Sequence, residues 1–172
     1  KMHRPGLFVW RAIFVSIGMF AGFSALTLIP LAQATAISFT TPIFVTILAI
    51  FIFGEVIKLR RIAAILVGFI GMLVIVQPGG EVISFGIILA FVGAFFHSLN
   101  LLTVKKLTAY ETANSIIVWM VIMLVPISFI PAIFVWEWPS AITWLYLWCL
   151  AICGTIGHSF FTRAYSLAEV TS

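Results

Sequence analysis

Residues 34–53 read ATAISFTTPIFVTILAIFIF, twenty residues without a single charge. At about 1.5 Å of rise per residue, a helix of that length covers about 30 Å, the thickness of a bilayer's hydrocarbon core. The run therefore predicts a transmembrane helix. Thr40 and Thr41 fall near its middle and Pro42 follows them. A proline there removes a backbone donor and crowds the preceding turn, so Pro42 is expected to kink the helix and free a carbonyl for a ligand.

Working outward, five further apolar runs flank this one, at about 8–29, 61–78, 84–103, 113–135 and 141–162. The breaks are short and carry turn or charge signals: Pro30, Gly54 to Arg61, Gln77-Pro78-Gly79-Gly80-Glu81, Lys105 to Thr112, and Glu137-Trp138-Pro139-Ser140. None is long enough to separate soluble domains. Across the 172 residues 63% are hydrophobic and 8% charged, and mean hydropathy is +1.26. Soluble domains carry about 25% charged residues, so this chain lacks the polar groups to cover itself in water. The expected fold is all-α: a polytopic bundle of six transmembrane helices with the lipid bilayer as its first partner.

The charges orient the bundle. Threading six spans puts Lys1, Arg4, Arg11, Lys58, Arg60, Arg61, Lys105, Lys106 and Arg163 on one side, while the opposite loops hold no Lys or Arg. That bias makes the basic side cytoplasmic and points to a bacterial inner (plasma) membrane. Trp136 and Trp138 mark the other interface. The net charge of +4 follows from these loops. No basic cluster exceeds three residues, so nucleic acid is not an expected partner. Residues 1–36 imitate a signal peptide, ending in Ala32-Gln33-Ala34, but Arg11 interrupts the apolar stretch and five more spans follow.

The chain also resembles itself. SIGMFAGFSALT (16–27) aligns with TIGHSFFTRAYS (155–166), matching Ile17/Ile156, Gly18/Gly157 and Ala25/Ala164. LAQATA (31–36) aligns with LAEVTS (167–172), adding three identities. The match joins span one to span six. Five crossings reverse direction, so the two units are expected to be inverted, a design of secondary transporters with the binding site between the repeats. On this reading residues 1–81 hold the last three helices of one five-helix repeat and 82–172 the first three of the next. About two helices would be missing at each end of a protein of about 270 residues.

Residues 25–80, ALTLIPLAQATAISFTTPIFVTILAIFIFGEVIKLRRIAAILVGFIGMLVIVQPGG, resemble the first repeat of the EamA-type transporters of the drug/metabolite superfamily. The telling pieces are Pro30-Leu31-Ala32-Gln33-Ala34, Thr41-Pro42-Ile43-Phe44, Gly54-Glu55, and Gly68-x-x-Gly71 leading to Pro78-Gly79. The second half, with Ala164-Tyr165, resembles the second repeat more loosely. The resemblance implies ten helices in two inverted five-helix units that move small organic molecules, with this chain corresponding to helices three to eight.

Polar groups inside the spans are the candidate substrate-binding residues, because at membrane depth they face a cavity or a neighbouring helix. His97 and Asn100 share one face of span four, Thr155, His158 and Thr162 one face of span six, and Thr40 and Thr41 mark span two. His97 and His158 are candidate proton carriers, since an imidazole titrates near about 6.5. The competing reading has each hydroxyl bonded to its own helix and each histidine to a neighbour. Glu55 and Arg163 sit at span ends, where charges reach the headgroups. With no acid or permanent cation read as mid-span, the expected cargo is neutral, zwitterionic or aromatic, with Phe20, Phe23, Phe91, Phe95 and Phe96 as stacking surface. Gly18 and Gly22, and Gly86, Ala90 and Gly93, have the spacing that lets helix backbones approach.

An enzyme is not expected. There is no GxSxG, no HExxH and no Asp for an aspartyl dyad or a metal-diphosphate site, and no metal or cofactor is implied. Cys149 and Cys153 lack partners at zinc spacing and read as small packing residues. A channel or structural membrane subunit is the other alternative, without a charged ring or carbonyl filter to support it.

Overall fold

Proline and glycine set most of the helix boundaries. The computed structural model describes residues 4–54, 59–76 and 84–168. Pro5 takes the first position of α1 (Pro5–Leu28), where its missing N–H would lack a partner anyway. Pro30, extended at φ −56° and ψ 143°, separates α1 from α2 (Leu31–Ser38). Helix α3 (Thr41–Phe53) carries Pro42 in its first turn and stops at Gly54, whose left-handed φ of 66° suits glycine and whose N–H donates to Ile50 O at 2.9 Å. Then come α4 (Leu59–Val76), α5 (Phe85–Thr108), α6 (Ala113–Phe134) and α7 (Ala141–Ala168). Thr112 caps α6, its hydroxyl oxygen accepting from Ser115 N–H at 3.4 Å. Pro126 and Pro131 lie inside α6.

The predicted span at 34–53 is interrupted rather than straight: α2 and α3 meet through Phe39 and Thr40, both right-handed helical, and Leu31–Phe53 together is long and apolar enough to cross. The chain leaves α2 through three-residue turns, Phe39 N–H to Ala36 O and Thr40 N–H to Ile37 O, and the Thr40 hydroxyl also donates to Ile37 O at 2.7 Å. Among the described residues five stretches are long and apolar enough to cross, Pro5–Leu28, Leu31–Phe53, Phe85–Thr108, Ala113–Phe134 and Ala141–Ala164. Helix α4, 18 residues with Arg60 and Arg61 in its first turn, is the sixth apolar helix. Lys1, Glu55, Lys58, Gln77 to Glu81 and residues 169–172, on which parts of the sequence reading rest, lie outside the described residues.

The chain divides into two compact units, Ile13–Leu102 and the pairing of Lys1–Ala12 with Thr103–Ser172. Lipid is as apolar as leucine, so helices in it are held by close packing rather than by hydrophobic burial. In the Ile13–Leu102 unit, Ala25, Ile29, Ile37 and Ala90 form the core, and α2 packs on α4. Glycine permits close approach of two backbones: a Cβ on Gly93 would lie 3.2 Å from Gly22 N and 3.3 Å from Gly22 Cα. The other unit is built around Phe8, Leu107 and Ile116, with α6 packed on α7. There Arg4 lies over the Tyr110 ring, 4.4 Å from its centre, a favourable cation–π contact. Residues 141–157 of α7 are exposed throughout.

Candidate functional site

The Ile13–Leu102 unit holds four of the predicted site residues. Thr40 and Thr41 are buried at the break between α2 and α3, and Asn100 is buried on α5. His97, three residues before Asn100, is exposed, so the two do not share an inward face. Thr46 is a group the sequence reading did not single out. It lies one turn past Pro42 on α3, and its Oγ1 is buried without a hydrogen-bond partner among the described residues. A buried hydroxyl left unsatisfied costs stability and so asks for an explanation. The same unit carries a file of half-buried rings: Phe14 and Phe96 at 6.1 Å, Phe96 and Phe95 at 5.7 Å, and Phe95 and Phe44 edge-on at 5.5 Å.

The other unit holds the remaining three, with different fates. Thr155 is exposed and donates to Ala151 O at 2.7 Å. It lines an open groove of about 260 Å³ with Ile156, Ser159, Phe160 and Arg163, but Ser159 likewise donates to its own helix, at Thr155 O. A hydroxyl satisfied within its helix contributes little elsewhere. Thr155→Val is therefore expected to change stability by less than about 0.5 kcal/mol, as thermal unfolding would register. Thr162 is buried and donates to His158 O at 2.9 Å.

His158 is half-buried and meets a residue that sequence reasoning misplaced. Arg11, read as a cytoplasmic loop charge, sits inside α1 and is 1% exposed. Its Nη1 donates to Ile116 O at 2.9 Å, and its Nη2 lies 3.1 Å from both Met120 Sδ and His158 Nε2. One guanidinium thus ties α1 to α6 and α7. A permanent cation thus stands in the second turn of α1, toward one end of the span, because guanidinium keeps its charge at every accessible pH. The signal was Arg11's place as the fourth residue of the apolar run at 8–29; an arginine inside a span either snorkels or is held by neighbouring helices. Among the described residues no group of His, Cys, Asp or Glu has the makings of a metal site.

Compared with known families, the chain matches one over residues 4–77, which take in α1 to α4: the EamA-like transporter family. That segment belongs to the EamA-like transporters. Beyond it, similarity to individual relatives extends along the whole chain. The S-adenosylmethionine uptake transporter of Rickettsia prowazekii is 29% identical over 172 residues, covering 100% of this chain and 58% of its own length. The riboflavin transporter of Rhizobium johnstonii is 28% identical over 170 residues, 98% of this chain and 56% of its own. The riboflavin transporter of Vibrio cholerae is 27% identical over 144 residues, 83% and 48% respectively. The chain thus spans about half the length of these relatives. No solved structure matches it. The EamA-like segment contains the broken span and its buried threonines, and it begins at Arg4, so Arg11 falls within it.

Proposed function

We propose that the full-length protein is a secondary carrier of small organic metabolites, working by alternating access between inverted repeats, of which residues 1–81 and 82–172 are parts. The observation that carries this reading is the broken span. Where a proline interrupts the hydrogen-bond ladder at membrane depth, neighbouring protein or a cavity must meet the freed groups, and interrupted helices are where carriers place their substrate sites. Here α2 stops at Ser38, α3 restarts at Thr41, and Thr40 and Thr41 are buried at the join. The names of the relatives support the same class.

On this reading Thr40, Thr41 and Asn100 bind cargo, and His158 and Thr162 serve from the second group; His97 and Thr155, both exposed, contribute less. The cargo is an aromatic or zwitterionic metabolite. The Phe14–Phe96–Phe95–Phe44 file supports a flat ring system, as do relatives named for riboflavin and S-adenosylmethionine. The basic loops face the cytoplasm of an inner membrane.

Counterflow in proteoliposomes tests the reading. Full-length protein preloaded with riboflavin or S-adenosylmethionine, among other metabolites, is expected to take up the labelled compound saturably and faster than unloaded vesicles. Asn100→Leu should weaken that uptake at least about tenfold, the scale of one lost buried hydrogen bond. Flux that never saturates would identify a channel, and chemical conversion of the compound an enzyme.

A further inference from the structure

We propose that His158 is a protonation site that governs the attachment of α7, with Arg11 as the residue that positions it. A guanidinium has donors only, so Arg11 Nη2 must donate across the 3.1 Å to His158 Nε2. That nitrogen accepts only when it carries a lone pair, in the neutral ring with its proton on Nδ1. A proton taken from water by Nε2 forms a new N–H, removes the acceptor and breaks this hydrogen bond, leaving two cations side by side. The contact and the imidazolium exclude each other.

The surroundings make the histidine the moving partner. Arg11 is also bound to α6, through Ile116 O and Met120 Sδ, so it stays in place when His158 leaves. Helix α7 packs on α6, with residues 141–157 exposed in this chain. The ring is half-buried, which leaves it within reach of water, and Phe161 stacks on it at 6.4 Å and 23°. Helix α6, packed on α7, brings no titratable side chain between Ala113 and Phe134. Helix α1 brings Arg11, with Arg4 just ahead of it over the Tyr110 ring. The unit's part of α5 brings Lys105 and Lys106, and the turn to α6 brings Tyr110 and Glu111, the latter 3.3 Å from Ser115 Oγ. Helix α7 itself adds Tyr146, Cys149, Cys153 and Arg163. The contact is therefore closed while the ring is neutral and open once it is protonated. Its use in driving flux rests on the carrier reading above; the contact itself does not.

Thiol accessibility at position 162 tests this in full-length protein in lipid nanodiscs. Thr162 is fully buried one turn from His158. A Thr162→Cys variant carrying Cys149→Ala and Cys153→Ala is alkylated with N-ethylmaleimide from about pH 8 to about pH 5.5, spanning the imidazole range. Each rate is divided by that of a Cys153→Ala control that keeps the exposed Cys149, which removes the thiolate's own pH dependence. The corrected rate is expected to rise about tenfold as pH falls, the factor set by one charge-assisted hydrogen bond. Adding His158→Gln, which keeps an acceptor for Arg11 and takes no proton, should leave the rate slow and flat. Adding Arg11→Met should leave it fast at every pH. A flat rate in the parent, or a pH response that survives His158→Gln, overturns the proposal; those two arms decide it even if Arg11→Met fails to fold. Uptake with flat accessibility sinks the contact's role and spares the carrier. A pH response in a protein that moves no metabolite does the reverse.

Discussion

Arg11→Ala is expected to destabilise the fold by about 2–4 kcal/mol, more than alanine at any of the predicted site residues. The side chain is fully enclosed, so alanine leaves a void where two methylenes and a guanidinium stood, and it takes a donor from Ile116 O and a partner from His158. Arg11→Met refills most of that volume and brings no charge to bury. It should cost under about 1.5 kcal/mol, because buried charges replaced by apolar groups of similar size often lose little. Unfolding midpoints in a fixed detergent would rank the three proteins. An alanine variant as stable as the parent would show that the guanidinium does not hold α1 to α6 and α7.

Gly93→Leu should be the second severe change, and Gly22→Ala the instructive contrast. A Cβ at Gly93 meets Gly22 N and Cα at 3.2 and 3.3 Å and Gly18 O at 3.4 Å. Those are backbone atoms and cannot rotate away, so leucine must push α5 from α1 and open the core around Ala25, Ile29 and Ala90. A cost of about 3 kcal/mol or more is expected, since close approach is what holds helices together in lipid. A Cβ on Gly22 meets nothing within 4 Å, so Gly22→Ala should stay within about 0.5 kcal/mol of the parent. Fluorescence-detected size-exclusion yields would reveal the difference. Equal yields would mean that the small-residue contact is slack.

The contrast shows where sequence reading stops. Spacing alone picked out Gly18, Gly22, Gly86 and Gly93 as small residues, but which of them bears the contact depends on how the helices are rotated. In a soluble helix an apolar stripe reveals that rotation. In lipid both faces are apolar, and the stripe vanishes. His97 and Asn100 looked alike for this reason, although one is exposed and the other buried. Span existence was legible because twenty uncharged residues have few other uses. Span ends were less so: α5 runs on to Thr108 through Lys105 and Lys106, past the hydropathy limit at 103, since backbone bonding and not apolarity ends a helix. The interruption at Phe39-Thr40 was legible through Pro42, which stands in the first turn of α3 just after it. Arg11 was missed because counting charges by loop treats every early arginine as an anchor.

One feature of α6 bears on how the protein moves. Pro126 and Pro131 offer no N–H to the carbonyls four residues before them, Ile122 and Ile127, so two rungs of the ladder are absent five residues apart. Flexing the rod there breaks no backbone bond, and with side chains along it largely exposed little else resists. Beyond Met123 the helix is therefore compliant, whereas the stretch nearer Thr112, clamped by Arg11, is stiff. Strain arriving at the far end of α6 is absorbed in that elastic segment before it reaches Ile116.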